Sequence, residues 1–152
     1  MSPEAPPRGP VQSIGPHRYI IEDDLLFWQP SGEVTIEQAH IMNATIADAH
    51  RRNGYLLYLI DGRQARPLGA AARRIAVDGF RALVGTTSLA AFGTNMIVRT
   101  AAFLVLNAAR LLSGLDIPSS FVDTEPEARA FLAAERARLQ AERSRRQARS
   151  GS

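Results

Sequence analysis

Six apolar or aromatic residues, Tyr55 to Ile60, run without a polar interruption into Asp61 and Gly62. A strand with one face in water would alternate, so an unbroken run bounded by Gly54 and Gly62 predicts a strand covered on both faces. Leu57 and Leu59 are expected on opposite faces of it, each against a different helical layer. Helical patterns lie on either side, and a βαβ arrangement with a parallel sheet is the economical reading.

The alternation continues along the chain. Tyr19 to Glu22 and Leu25 to Gln29 flank Asp23-Asp24 and predict two short strands joined by a tight turn. Thr35 with Gln38 has the spacing of a capping box, and Ile36, Ala39, Met42, Ile46 and Ala49 supply the apolar face of a helix that stops at Asn53-Gly54. A loop from Arg63 to Pro67 leads into a second helix from Leu68 to Leu83. Ser88 to Phe92 reads as a strand, Asn95 to Ser113 as a third helix closed by Gly114, and Ile117 to Val122 as the last strand. Thr124 and Glu127 repeat the capping-box spacing and open a terminal helix. The predicted order is ββαβαβαβα, an α/β fold with a largely parallel central sheet, a short N-terminal hairpin and helices packed on the sheet.

The 152 residues, 45% of them hydrophobic, suit one domain with one core. Residues 1–16, Pro-rich and without an apolar segment, read as a flexible leader, 17–139 as the domain, and 140–152 as a basic, disordered tail. All 18 basic residues are arginine, and from residue 127 onward seven Arg face three Glu, while residues 1–126 carry eleven Arg against twelve acids. The basic character therefore belongs to the tail. With no aromatic residues interleaved for base stacking, Arg143, Arg145, Arg146 and Arg149 read as a solvated helix end and not as a nucleic-acid footprint. Cysteine is absent, which excludes disulfides, thiol nucleophiles and cysteine metal sites and suits a cytoplasmic protein. The longest apolar stretch reads as too short to cross a bilayer.

The element order, the strand ending Leu59-Ile-Asp-Gly-Arg63 and the segment Phe92-Gly-Thr-Asn-Met-Ile-Val-Arg99 opening a helix resemble the SpoIIAA-like branch of the STAS (sulfate transporter and anti-sigma-factor antagonist) superfamily. The resemblance spans residues 17–134. It implies a small α/β domain without catalysis of its own, used as a regulatory, protein-interaction or small-ligand module. Regulatory members carry a phosphorylatable Ser or Thr beside an acid where the central strand meets the next helix. Here that junction reads Asp61-Gly62-Arg63-Gln64, and no Ser or Thr occurs between Thr45 and Thr86. The phosphoswitch is missing.

Cations stand in its place. Arg63, Arg66, Arg73 and Arg74 bracket the start of the second helix, where carboxyl ends of strands and helix N-termini favour anions. They read either as a phosphate or carboxylate site with Asp61, Thr94 and Asn95 nearby, or as surface arginines paired with Asp61 and Asp78. Neither G-x-G-x-x-G nor a P-loop occurs, so tight nucleotide binding is not expected. His17, His40 and His50 lack metal-ligand spacing and read as surface histidines, no G-x-S-x-G elbow is present, and no cofactor site or enzyme is legible.

Between Arg99 and Arg110 only Thr100 and Asn107 break an apolar run, and Arg99, Thr100, Phe103, Asn107 and Arg110 share one narrow stripe. Such a helix is either well buried on the sheet or carries surplus apolar surface, with Phe103, Leu104, Leu111 and Leu112, for a homodimer or for an apolar ligand pocket. Two functions follow: a protein-docking regulatory module, or a binder of a small amphipathic, lipid-like anion with arginines on its head group and the third helix on its tail. An apolar cavity beside Arg63 and Arg66 would favour the second, a flat apolar patch the first.

Overall fold

Leu56 to Asp61, with most of the apolar run, form a strand at the middle of a six-stranded sheet, and buried Tyr55 lies just before it. In the computed structural model, which describes residues 9–83, 85–114 and 117–151, the elements are β1 (Gln12–Ile14), β2 (His17–Glu22), β3 (Leu25–Gln29), α1 (Ile36–Asn53), β4 (Leu56–Asp61), α2 (Ala70–Arg81), β5 (Thr87–Phe92), α3 (Met96–Ser113), β6 (Ser119–Val122) and α4 (Glu125–Ser150). The strands lie in chain order, β1 to β3 antiparallel and β3 to β6 parallel. Each parallel step moves the same way across the sheet, so right-handed crossovers put α1, α2 and α3 on one face together. The other face is left to α4.

Period-two geometry divides β4 between the layers. Leu56 and Tyr58 join Leu26, Trp28, Met42, Ile46, Phe80, Leu89 and Val105 beneath α1 to α3. Tyr55, Leu57 and Leu59 join Phe27, Ala90, Phe92, Ala128, Leu132 and Leu139 beneath α4. Leu57 and Leu59 therefore share one face, which corrects the expectation that they oppose each other: residues two apart in a strand point the same way.

The capping signals act as the spacing predicts. The Thr35 hydroxyl accepts from the Gln38 N–H at 3.2 Å while the Gln38 side chain accepts from the Thr35 N–H at 3.0 Å. Asn95 caps α3 through Val98, and Thr124 caps α4 through Glu127. Ile36 leaves the expected core face and is exposed. His17 is fully buried, not on the surface: its Nδ1 accepts from the Ser31 N–H at 3.0 Å and its Nε2 meets the Gln38 carbonyl oxygen at 2.9 Å.

Both expected domain boundaries shift. The leader reading of residues 1–16 falls partly outside the described residues, but Gln12–Ile14 pairs with β2 and buries Ile14. At the other end, α4 has no break at 139 and continues through the segment read as a disordered tail. There Gln140 donates to the Tyr55 hydroxyl at 3.1 Å, and Arg143 donates to the Asn53 carbonyl at 2.8 Å and lies 5.5 Å from the Tyr55 ring centroid. Earlier in the helix, Arg129 reaches Glu22 and Arg136 reaches Asp24.

Candidate functional site

The carboxyl ends of β4 and β5 meet the loop of residues 62–69, and the residue types there dictate a close approach. The Gly62 N–H donates to the Phe92 carbonyl at 2.8 Å, and a side chain at Gly62 would run into the Thr94 methyl. Beyond it, the Asp61 carboxylate takes three hydrogen bonds from Arg63: from the backbone N–H at 3.1 Å, from Nε at 3.0 Å and from a terminal guanidinium nitrogen at 2.8 Å. The Arg63 stem crosses Gly93, whose φ of 69° and lack of a side chain make room for it, and its guanidinium lies 5.6 Å from the Phe92 ring centroid. Burial opposes ionisation of Asp61, but the hydrogen bonds from Arg63 outweigh it and hold the carboxyl below its ordinary range. The Arg63 fork is thus engaged with Asp61. The pair borders a polar cleft of about 490 Å³ shared with Arg18, Gln29 and Gln64.

Arg66 and Arg73 face a different space. Between the sheet and α1 to α3 lies an apolar cavity of about 160 Å³, walled by Trp28, Met42, Tyr58, Phe80, Val105 and Leu106, with exposed Arg66 and Arg73 among its lining residues. Its origin is legible in side-chain size. The inward positions of the three helices include Ala39, Ala72, Ala76, Ala101 and Ala102, which are too small to fill the gap to the strands. The Arg73 N–H donates to the Gly69 carbonyl at 2.8 Å, but the side chains of Arg66 and Arg73 have no hydrogen-bond or ion-pair partner among the described residues, and neither they nor exposed Arg74 pair with Asp78 there. The lining is not wholly apolar: the Asn43 amide donates to the Ile75 carbonyl at 2.7 Å, while the hydroxyl of Tyr58, a residue 4% exposed, has no hydrogen-bond partner among the described residues, and burial pushes the phenol well above its ordinary range so that it stays a donor.

The remaining residues singled out from the sequence fall elsewhere. Asn95 caps α3, and the buried Thr94 hydroxyl has no partner among the described residues. Arg99 lies 6.0 Å from the Phe121 ring centroid and Phe103 4.8 Å from it, both over β6 and away from the cavity. Leu111 is 73% exposed, and Met96, Ile97, Leu104 and Leu112 are exposed with it. The α3 surface that lines the cavity is the opposite one, Val98, Ala101, Ala102, Val105 and Leu106. Asp61, Arg63, Arg66, Arg73, Thr94, Asn95, Arg99, Phe103 and Leu111 are therefore not one site but a polar cleft, a cavity rim, a turn and an outer helix face. Tyr58, Trp28, Phe80 and Leu106 were missed, although the residues on α3 opposite its polar stripe carried a signal for the inward face.

By length and composition α3 is also long and apolar enough to cross a membrane, which corrects the expectation that no stretch suffices; in the fold it packs through Val105 and Ala109 and leaves its outer face open. Among the described residues no group of three or more metal-ligating side chains gathers.

The arrangement of sheet, helices and loops is one that solved structures share. It is similar to the NMR structure of the Thermotoga maritima protein TM1081, with a TM-score of 0.55 and 21% identity over 76% of this chain and 86% of that one. It is similar too to the crystal structure of TM1081, described as a candidate anti-sigma factor antagonist, with a TM-score of 0.54 and 19% identity over 76% of this chain and 92% of that one. No family model and no curated protein matches the sequence.

Proposed function

We propose that this chain is a regulatory module that acts by binding, without catalysis, and that it holds a small amphipathic anion between Arg66, Arg73 and the cavity behind them. The observation that carries this reading is the pairing of an apolar space of about 160 Å³ with two arginines whose side chains have no partner among the described residues. An apolar tail gains by leaving water, and guanidinium groups without a protein carboxylate are suited to an anionic head. With no Ser or Thr from residue 46 to residue 85, control at this junction falls to binding and not to phosphorylation. Native mass spectrometry with octanoate tests it: the adduct forms on the wild type and is lost in the double variant Arg66→Ala, Arg73→Ala. Equal adduct on both proteins would sink the reading.

A second reading is supported by the outer face of α3. Met96, Ile97, Leu104, Leu111 and Leu112 expose contiguous apolar surface of the kind that marks protein docking. The likeness to a candidate anti-sigma factor antagonist supports a protein partner, and a second copy of the chain is the alternative. Sedimentation velocity of the wild type and of Leu104→Ser, Leu111→Ser separates the two, since only self-docking shifts the wild type towards a dimer.

A further inference from the structure

Resting on the reading that the cavity takes an amphipathic anion, we infer that its ligand is a single-ring aromatic carboxylate carrying a hydroxyl or carbonyl away from the carboxyl group. Three observations converge on that class. The first is size: a cavity of about 160 Å³ is close to the roughly 150 Å³ apolar cavity that takes up one benzene, so a single ring fills it. The second is the wall. Trp28, Tyr58 and Phe80 bring three aromatic side chains to one small space, with the Tyr58 and Phe80 ring centroids 5.7 Å apart, and aromatic surfaces favour offset or tilted contact with another ring.

The third is polarity. Arg66 and Arg73 offer guanidinium groups to a carboxylate; in the same lining the Asn43 amide is already given to the Ile75 carbonyl, while the Tyr58 hydroxyl is a donor without a partner among the described residues. A ligand with an acceptor oxygen at its far end satisfies that donor, and a plain hydrocarbon ring leaves it without a partner. The two arginines and the Tyr58 hydroxyl thus each have a counterpart on a hydroxybenzoate.

Isothermal titration calorimetry of the full chain with 4-hydroxybenzoate, 3-hydroxybenzoate, benzoate and octanoate tests this. Wild type is expected to bind at least one hydroxybenzoate about fivefold more tightly than benzoate, the size of one hydrogen bond. Tyr58→Phe, which removes only the hydroxyl, is expected to erase that preference while keeping benzoate binding. Arg66→Ala with Arg73→Ala is expected to abolish binding of all the ring acids. Arginine-dependent binding of octanoate alone would leave the amphipathic-anion reading standing and overturn this one, as would a hydroxybenzoate preference that survives in Tyr58→Phe. Failure of all four acids to bind in an arginine-dependent way would overturn both.

Discussion

The Arg63 guanidinium grips both oxygens of the Asp61 carboxylate, at 3.0 and 2.8 Å, two residues away along the chain. That contact separates Arg63, which neutralises a buried acid, from Arg66 and Arg73, whose side chains have no partner among the described residues. Arg63→Ala should lower stability by about 1 kcal/mol or less, because the Arg63 side chain is 66% exposed and exposed pairs contribute little. It should leave anion capture at Arg66 and Arg73 intact. Urea denaturation and native mass spectrometry of the same variant check both halves, and a loss of capture would place Arg63 in the site.

Gly62 sits where two turns nearly touch. An added side chain would meet the Thr94 methyl and lie 3.0 Å from the Phe92 carbonyl oxygen. Gly62→Ala is expected to cost about 1–3 kcal/mol by overpacking. Combining it with Thr94→Ser, which removes that methyl, should recover part of the loss in a denaturant titration.

The end of α4 provides a graded test. Arg143 donates to the Asn53 carbonyl, which is at the end of α1, and lies over Tyr55, whereas the residues from Ser144 to Ser150 are exposed. Truncation after Ser144 should leave the thermal midpoint unchanged. Truncation after Gln140 removes the Arg143 contacts and should cost about 1 kcal/mol. Identical midpoints for the two truncations would show that Arg143 does not anchor the helix.

These positions also show what was legible in the sequence. Thr35 with Gln38, Asn95 and Thr124 announced helix starts because capping is local and needs only a side chain within four residues. The extent of α4 was not legible: apolar spacing stops at Leu139, and the helix is held beyond it by polar contacts to Asn53 and Tyr55, more than eighty residues earlier. β1 was hidden because only Ile14 of its three residues is buried, too little for a period. The arginine cluster was visible as a cluster, but its division was not, since whether Arg63 or Arg66 turns to Asp61 depends on the turn at Gly62. The cavity escaped because it arises from alanines on three separate helices facing three strands, a sum that no single window contains.

Leu57 and Leu59 are fully buried on the α4 side of the sheet. Each truncation to Ala should cost about 2–5 kcal/mol, and the double variant should depart from additivity because the two share one packing layer. Both lie across the sheet from the cavity, so neither should change the affinity for a small carboxylate. Chemical denaturation and calorimetry on the three variants test the two-layer assignment, and a neutral Leu57→Ala would overturn it.

Acid should loosen α4 through Asp24. The carboxylate, 8% exposed, accepts from the Tyr55 hydroxyl at 2.6 Å and from Arg136 at 2.8 and 2.9 Å. Burial opposes its ionisation, yet the hydrogen bonds from Arg136 and Tyr55 outweigh that and hold its pKa below the ordinary 3.8. A carboxyl whose folded pKa is depressed binds fewer protons folded than unfolded in the window between the two values. Its stabilisation is therefore complete above the unfolded value of 3.8 and is lost as the pH falls through the folded one. His50 works in the same direction at higher pH: burial, then the positive charge of Arg146, lowers its pKa from 6.5, so stability also declines as the pH drops below that value. Asp24→Asn should weaken the lower of the two declines, leaving the part that Asp61 contributes, and keep the upper one. His50→Gln should do the reverse. Denaturation midpoints from about pH 8 to about pH 2 resolve the two windows, and a wild-type profile that stays flat through both would show that neither contact holds in solution.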